Sequence, residues 1–165
     1  MGNCGEKSII LYIHFIPMKF TGTVNGKMDA KGRVFFPASF RKKLAEGEVE
    51  FVLRKDLFQP CLVVYPVTIW EEEVRSLRAR LNHWNPREAM VLRQFMADAE
   101  EFTLDASGRF LLSKRMQQLA GLQKDMLFVG MDDRFEIWDP TTMDSAFLPA
   151  DDLGASLQQL METTL

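Results

Sequence analysis

The sequence predicts a mainly β protein with helices, in which two copies of one β-rich unit are joined by an α-helical hairpin. Three observations carry this expectation. Asp29-Ala30-Lys31-Gly32-Arg33-Val34-Phe35-Phe36 recurs 76 positions later as Asp105-Ala106-Ser107-Gly108-Arg109-Phe110-Leu111-Leu112, with Asp, Ala, Gly and Arg in register and three apolar residues after each Arg. Each motif is followed by the same succession: a short helical pattern, an apolar run, and a second run ending in an aromatic residue. Between the copies the apolar residues change to helical spacing.

In the first copy the succession is Pro37 to Ala45, Glu50 to Leu53 and Cys61 to Tyr65; in the second it is Ser113 to Gly121, Asp125 to Val129 and Arg134 to Trp138. Each half therefore reads strand, tight turn, strand, helical turn, strand, loop, strand. In the insert, Thr68 with Glu71 reads as a capping box, and Trp70, Val74, Leu77 and Leu81 fall on one helical face, a core stripe. Asn82-His83-Trp84-Asn85 reads as a hydrogen-bonded corner rather than a binding surface. Asn85 as N-cap, Pro86 at the first helical position and Glu88 at the third start a second helix running to about Ala99. Cys61 reads as a small apolar residue opening a strand, and most of the ten methionines as core filler.

The duplicated motif suits a tight hairpin. Asp29 and Asp105 can cap the turn through their carboxylates, Gly32 and Gly108 supply a positive φ that a β-carbon resists, and the next residue begins the returning strand. Arg33 and Arg109 then project from equivalent turns. One reading makes Asp29–Arg33 and Asp105–Arg109 purely structural ion pairs. Exposed pairs contribute only ~0–1 kcal/mol, a weak reason to build the same turn twice. Both roles are compatible if Asp holds the Arg while part of its guanidinium stays available.

Charge is unevenly spread. The whole chain carries a net −3, yet residues 1–43 hold eight basic side chains against two acidic ones, and from Asp132 onward eight acidic side chains accompany only Arg134. A local basic patch, rather than the total, is what meets a polyanion. A solvated face is the plainer account of such a run, and the repeat weighs against it.

At 165 residues the chain holds one domain or two small units sharing a core, and 47% hydrophobic residues suffice for that core. Cys4 and Cys61 form no CxxC and have no nearby histidine pair, so neither a disulfide framework nor a zinc site can be written, which fits a reducing compartment. The longest apolar stretch, Ile9 to Ile16, has eight residues where a membrane span needs ~20. It also lacks a signal-peptide cleavage pattern, and Glu6 stands where myristoylation after Met-Gly requires Ser or Thr. With His14 and His83 the only histidines, and no His-x-x-x-His, Gly-x-Ser-x-Gly or phosphate-binding loop, the sequence does not read as an enzyme.

These residues bring the chain close to a known family. Phe20-Thr21-Gly22, Asp29-Ala30-Lys31-Gly32-Arg33 with Pro37 and Arg41, Asp105-Ala106-Ser107-Gly108-Arg109, and the segment from Val129-Gly130 to Ile137-Trp138 resemble the MraZ family of bacterial transcriptional regulators. The likeness runs from about Met18 to Trp138. It implies two AbrB/SpoVT-type swapped-hairpin (double-split β-barrel) elements paired within one chain as a pseudo-dimer, at 18–66 and 100–141, with the helical hairpin at 67–99. It also implies a ring-shaped homo-oligomer that binds double-stranded DNA at short G-rich direct repeats in the promoter of the division and cell-wall gene cluster, with repression as the outcome. A cytoplasmic, nucleoid-associated protein without cofactor or metal is expected.

Carried onto matching positions, the DNA-facing residues are Arg33 and Arg109, with Asp29, Gly32, Asp105 and Gly108 organising their turns. Lys27, Lys31, Arg41 and Lys42 join them on charge and proximity. The second copy has Ser113 and Gln117 where the first has Pro37 and Arg41, so the first half is expected to dominate phosphate contact. Residues 1–17 have no counterpart and read as an extension, disordered or mis-assigned, with Met18 as the start. The acidic tail, 142–165, reads as the least ordered end. A guanidinium fork suits guanine O6 and N7, lysines on phosphates add salt-dependent affinity, and several copies on spaced repeats gain by effective concentration. The competing class is a ring-forming interaction or antitoxin-like module that reads no operator.

Overall fold

The computed structural model describes residues 19–163, so the readings of residues 1–17 and of Met18 fall outside it. In the first repeat, β1 (Thr23–Lys27) and β2 (Arg33–Phe35) flank the Asp29 turn, followed by α1 (Ala38–Arg41), β3 (Glu50–Lys55) and β4 (Leu62–Pro66). The helical hairpin is α2 (Val67–Arg80) and α3 (Pro86–Ala97). The second repeat places β5 (Glu100–Thr103) and β6 (Arg109–Leu111) around the Asp105 turn, then α4 (Lys114–Leu119), β7 (Asp125–Met131) and β8 (Arg134–Trp138). A 3-10 turn (Met143–Ala146) and α5 (Ala150–Glu162) follow.

The strands form an antiparallel six-stranded sheet in the order β1-β7-β8-β4-β3-β5 and a two-stranded ribbon, β2-β6. Exchanging the repeats turns β1 into β5, β7 into β3 and β8 into β4, and the sheet order then reads the same from either end. Each repeat's first strand therefore pairs with the third strand of the other repeat: β1 with β7 (Thr23 opposite Val129) and β5 with β3 (Thr103 opposite Glu50). The ribbon is centred on Val34 opposite Phe110, two residues at equivalent positions of the repeat.

Alternation explains the packing. Val34 and Phe110 are buried in the ribbon's inner face, and their neighbours point outward. They join a phenylalanine-rich core in which the Phe135 ring lies 5.2 Å from Phe20, 5.2 Å from Phe36 and 5.4 Å from Phe40. β3 and β4 are covered on both faces, which is why Phe51 to Leu53 and Leu62 to Tyr65 read as unbroken apolar runs, whereas β8 alternates Arg134, Phe135, Glu136 and Ile137. Phe51, Leu53, Leu62 and Val64 enter this core, whereas Val52, Val63 and Tyr65 face the helical hairpin with Ile69 and Trp70. There the Trp70 and Phe95 rings stack at 5.2 Å, and Arg54, itself buried, sets its guanidinium 4.0 Å from the Phe95 ring centroid.

Four expectations need adjustment. No Thr68 cap forms: α2 starts at Val67, directly after Pro66, whose φ of −53° already suits a helix entry. The α2 stripe is core only near its start, since Trp70 is buried while Leu77 and Leu81 are half-buried where the hairpin runs beyond the sheet. Met116 and Met126 fill the core, but Met90, Met96, Met131 and Met161 are exposed. The tail carries a 13-residue helix, α5, built on Leu153, Leu157 and Leu160 at helical spacing with Asp151 and Asp152 in its first turn, where the helix dipole favours negative charge. The second hairpin helix starts where expected, with Asn85 Oδ1 accepting from the Arg87 backbone N–H at 3.0 Å. At the corner, Asn82 Oδ1 accepts from the Trp84 N–H at 3.0 Å while the indole stands in solvent.

Candidate nucleic-acid interface

Each Asp29-type turn is a three-residue loop closed by its own aspartate. Gly32 and Gly108 adopt φ of +83° and +78°, the left-handed conformation that the final loop residue requires. In the first turn Asp29 Oδ1 accepts from the backbone N–H groups of Lys31 and Arg33, both at 2.9 Å, and Oδ2 accepts from Arg33 Nε at 2.7 Å. In the second, Asp105 Oδ1 accepts from Ser107 and Arg109 N–H, both at 2.9 Å, and Oδ2 from Arg109 Nε at 2.9 Å. Each carboxylate thus engages the Nε edge of its arginine. The terminal guanidinium nitrogens of Arg33 and Arg109 make no hydrogen bond among the described residues, so the fork is oriented without being consumed.

The same bonds set the charge state. The Arg33 backbone N–H does most to lower the Asp29 carboxyl below its ordinary value; desolvation opposes it, and the Arg33 guanidinium and the Lys31 N–H add to the lowering. Asp105 is lowered in the same way, first by the Arg109 backbone N–H. Both remain anionic throughout the neutral range, and both arginines stay clamped.

The repeats also brace each other's turns. The Phe36 N–H donates to the Gly108 carbonyl at 2.9 Å and the equivalent Leu112 N–H donates to the Gly32 carbonyl at 2.8 Å. Arg41, at the end of α1, reaches the second repeat's turn, its Nη1 donating to the Ser107 carbonyl at 3.3 Å. Its counterpart Gln117 lies beside Gly32 and donates to the Leu112 carbonyl at 2.8 Å. Chain proximity groups Arg41 with the first turn, whereas the fold brings it to the second.

Lys27, Lys31 and Lys42 are exposed: Lys27 at the end of β1 opposite Asp125, Lys31 inside the first loop, Lys42 just after α1. Lys27, Phe35, Arg41 and Ser107 border an open groove of about 830 Å³ that also includes Asn25 and Asp125. Phe35 and Leu111, on the ribbon's outer face beside the arginines, are functional candidates that the sequence reading passed over. The signal was available in the strand period: if Arg33 points outward, so does Phe35. Among the described residues no group of three or more His, Cys, Asp or Glu could hold a metal, and no helix is long and apolar enough to cross a membrane.

Comparison with known proteins bears on this geometry. The family model described as "MraZ protein, putative antitoxin-like" matches residues 19–94 and 95–147, dividing the chain between its two repeats. Relatives named transcriptional regulator MraZ include one from Phocaeicola vulgatus, 48% identical over 147 residues that cover 88% of this chain and 96% of the relative. Another from Bacteroides fragilis is 44% identical over 146 residues, 88% of this chain and 92% of the relative. The Escherichia coli relative is 35% identical over 150 residues, 86% of this chain and 98% of the relative. A family match across both repeats, with relatives at these identities over nearly their full lengths, means that the chain belongs to the MraZ family, a family of transcriptional regulators.

Proposed function

We propose that this chain is a sequence-specific DNA-binding repressor in which the paired repeats form the swapped-hairpin pseudo-dimer and Arg33 and Arg109 read bases. The observation that carries the reading is the duplicated clamp, in which a carboxylate takes the Nε edge of an arginine and leaves the terminal nitrogens for a bidentate partner such as guanine O6 and N7. Lys27, Lys31, Arg41 and Lys42 supply phosphate contacts, which position the protein without specifying sequence. A ring-shaped homo-oligomer presents several such faces to short direct repeats in the promoter of the division and cell-wall gene cluster. It acts in the cytoplasm, associated with the nucleoid.

Fluorescence anisotropy on the chain's own upstream region, at two salt concentrations and beside a scrambled duplex, tests this reading. Wild type prefers its own region, binding weakens steeply with salt, and Arg33→Ala removes the preference. Equal binding of both duplexes by wild type and variant makes the arginine structural. The antitoxin-like wording of the family description supports a second reading, an assembly or partner-binding module. Its binding would be insensitive to salt and to Arg33.

A further inference from the structure

We propose that Phe35 and Leu111 are apolar base readers, contacting thymine 5-methyl groups in the major groove beside the bases read by Arg109 and Arg33. The inference rests on the DNA-binding reading above and adds a ligand chemistry that the arginines do not provide.

The ribbon β2-β6 has one face for the core and one for solvent. Val34 and Phe110 occupy the first; Arg33, Phe35, Arg109 and Leu111 occupy the second. Register sets Phe35 directly opposite Arg109 and Arg33 directly opposite Leu111, so each clamped arginine has an apolar neighbour from the other repeat. The Arg109 guanidinium carbon lies 5.9 Å from the Phe35 ring centroid. Phe35 and Leu111 are each 63% exposed, although a buried core lies one residue away on the same strands. Two large apolar side chains at equivalent positions of a repeat, both in water and both beside a fixed cation, form a patterned surface rather than a scattered pair.

The shape fits one target. A two-stranded ribbon is an element that the B-DNA major groove, about 12 Å wide, admits, and the strands of such a ribbon lie about 4.8 Å apart. Of the four bases only thymine shows an apolar group there, its 5-methyl, and Phe is among the side chains suited to contact it. Successive bases on a strand are about 3.4 Å apart, so a ring 5.9 Å from the guanidinium meets a base within two steps of the one Arg109 reads. The expected site therefore carries thymine flanking guanine, on both sides of the ribbon's centre.

The experiment starts from duplexes that full-length protein selects from a random library, then replaces the thymines flanking the selected guanines with uracil, which pairs identically but lacks the methyl. Wild type binds the uracil duplex several-fold more weakly. Phe35→Ala and Leu111→Ala, at exposed positions that leave the core intact, lose affinity for the thymine duplex and no longer distinguish it from the uracil one, while light scattering shows an unchanged assembly. Equal binding of both duplexes by wild type overturns the proposal, as do variants that keep the discrimination. A changed assembly size with discrimination intact assigns the pair to contacts between copies and overturns it as well. If the library yields no preferred duplex, the DNA-reading hypothesis itself falls, a result distinct from selection without thymine dependence.

Discussion

Arg41 of the first repeat lies over Gly108 of the second, its Nε 3.1 Å from the point where a β-carbon on that glycine would stand. The mirror contact places Gln117 of the second repeat over Gly32 of the first, with its amide nitrogen 3.1 Å from the equivalent point. Each turn's missing side chain is thus the seat of a residue from the other repeat, and the repeat's one difference in charge at this position, Arg against Gln, falls at the turns.

Alanine at the two glycines separates their roles. Either substitution forces a left-handed backbone on a residue with a β-carbon, which costs about 1–2 kcal/mol. At Gly108 the new carbon meets the flexible end of Arg41, which swings away, so the loss stays near that figure but Arg41 leaves the turn. At Gly32 it meets the Leu112 backbone carbonyl at 3.0 Å, which cannot swing, so Gly32→Ala costs more. Urea denaturation of the two variants gives the ranking directly, and a larger loss at Gly108 would contradict it.

The aspartates should titrate low. Both Asp29 and Asp105 are held below the ordinary 3.8, chiefly by the backbone N–H of the arginine each clamps. A lowered acid stabilises the fold above its unfolded value, and that contribution disappears as pH falls through the lower folded one. Carboxyl chemical shifts should therefore show midpoints below 3.8 for both. Asp29→Asn makes the basic face more positive, yet it should weaken selective DNA binding because Arg33 loses its clamp; an unchanged or stronger preference in anisotropy means charge alone matters.

Glu136 has the opposite sign. Burial between the central strands raises its carboxyl, partly opposed by the Trp138 Nε1–H that it accepts at 2.8 Å, and Asp56 adds a further upward push. An acid raised in the folded state costs stability at neutral pH, and the cost fades as pH falls through the folded value toward the unfolded one. Glu136→Gln keeps an acceptor for Trp138 and removes the charge. Its melting temperature should exceed wild type at pH 7, with the advantage gone below pH 4.

Phe135 tests the core that both repeats share. Its ring lies within 5.9 Å of those of Phe20, Phe36, Phe40 and Phe128. Phe135→Ala should cost about 3–5 kcal/mol, the range for truncating a buried aromatic, and lower both repeats in one denaturation transition. Two separated transitions would mean that the repeats are independent folding units.

The element order, the two turns and the start of α3 were legible in the sequence because each depends on local chemistry: a left-handed glycine, an aspartate that reaches its own loop, an Asn-Pro pair at a helix start. The duplication at Asp29 and Asp105 was legible for the same reason. Pairing was not, since nothing in the residues of β1 alone chooses β7 over β3; that choice is made by burying Val34 against Phe110 at the centre of a shared core. For that reason the contact of Arg41 with the second repeat's turn could not be read from its place in the chain, and Phe35 and Leu111 are told apart from their buried neighbours only by the two faces of the ribbon. By itself, the sequence determined which residues form the clamps. Only the tertiary structure decided which clamps stand side by side and what lies between them, because strand partners are set by long-range burial rather than by neighbours along the chain.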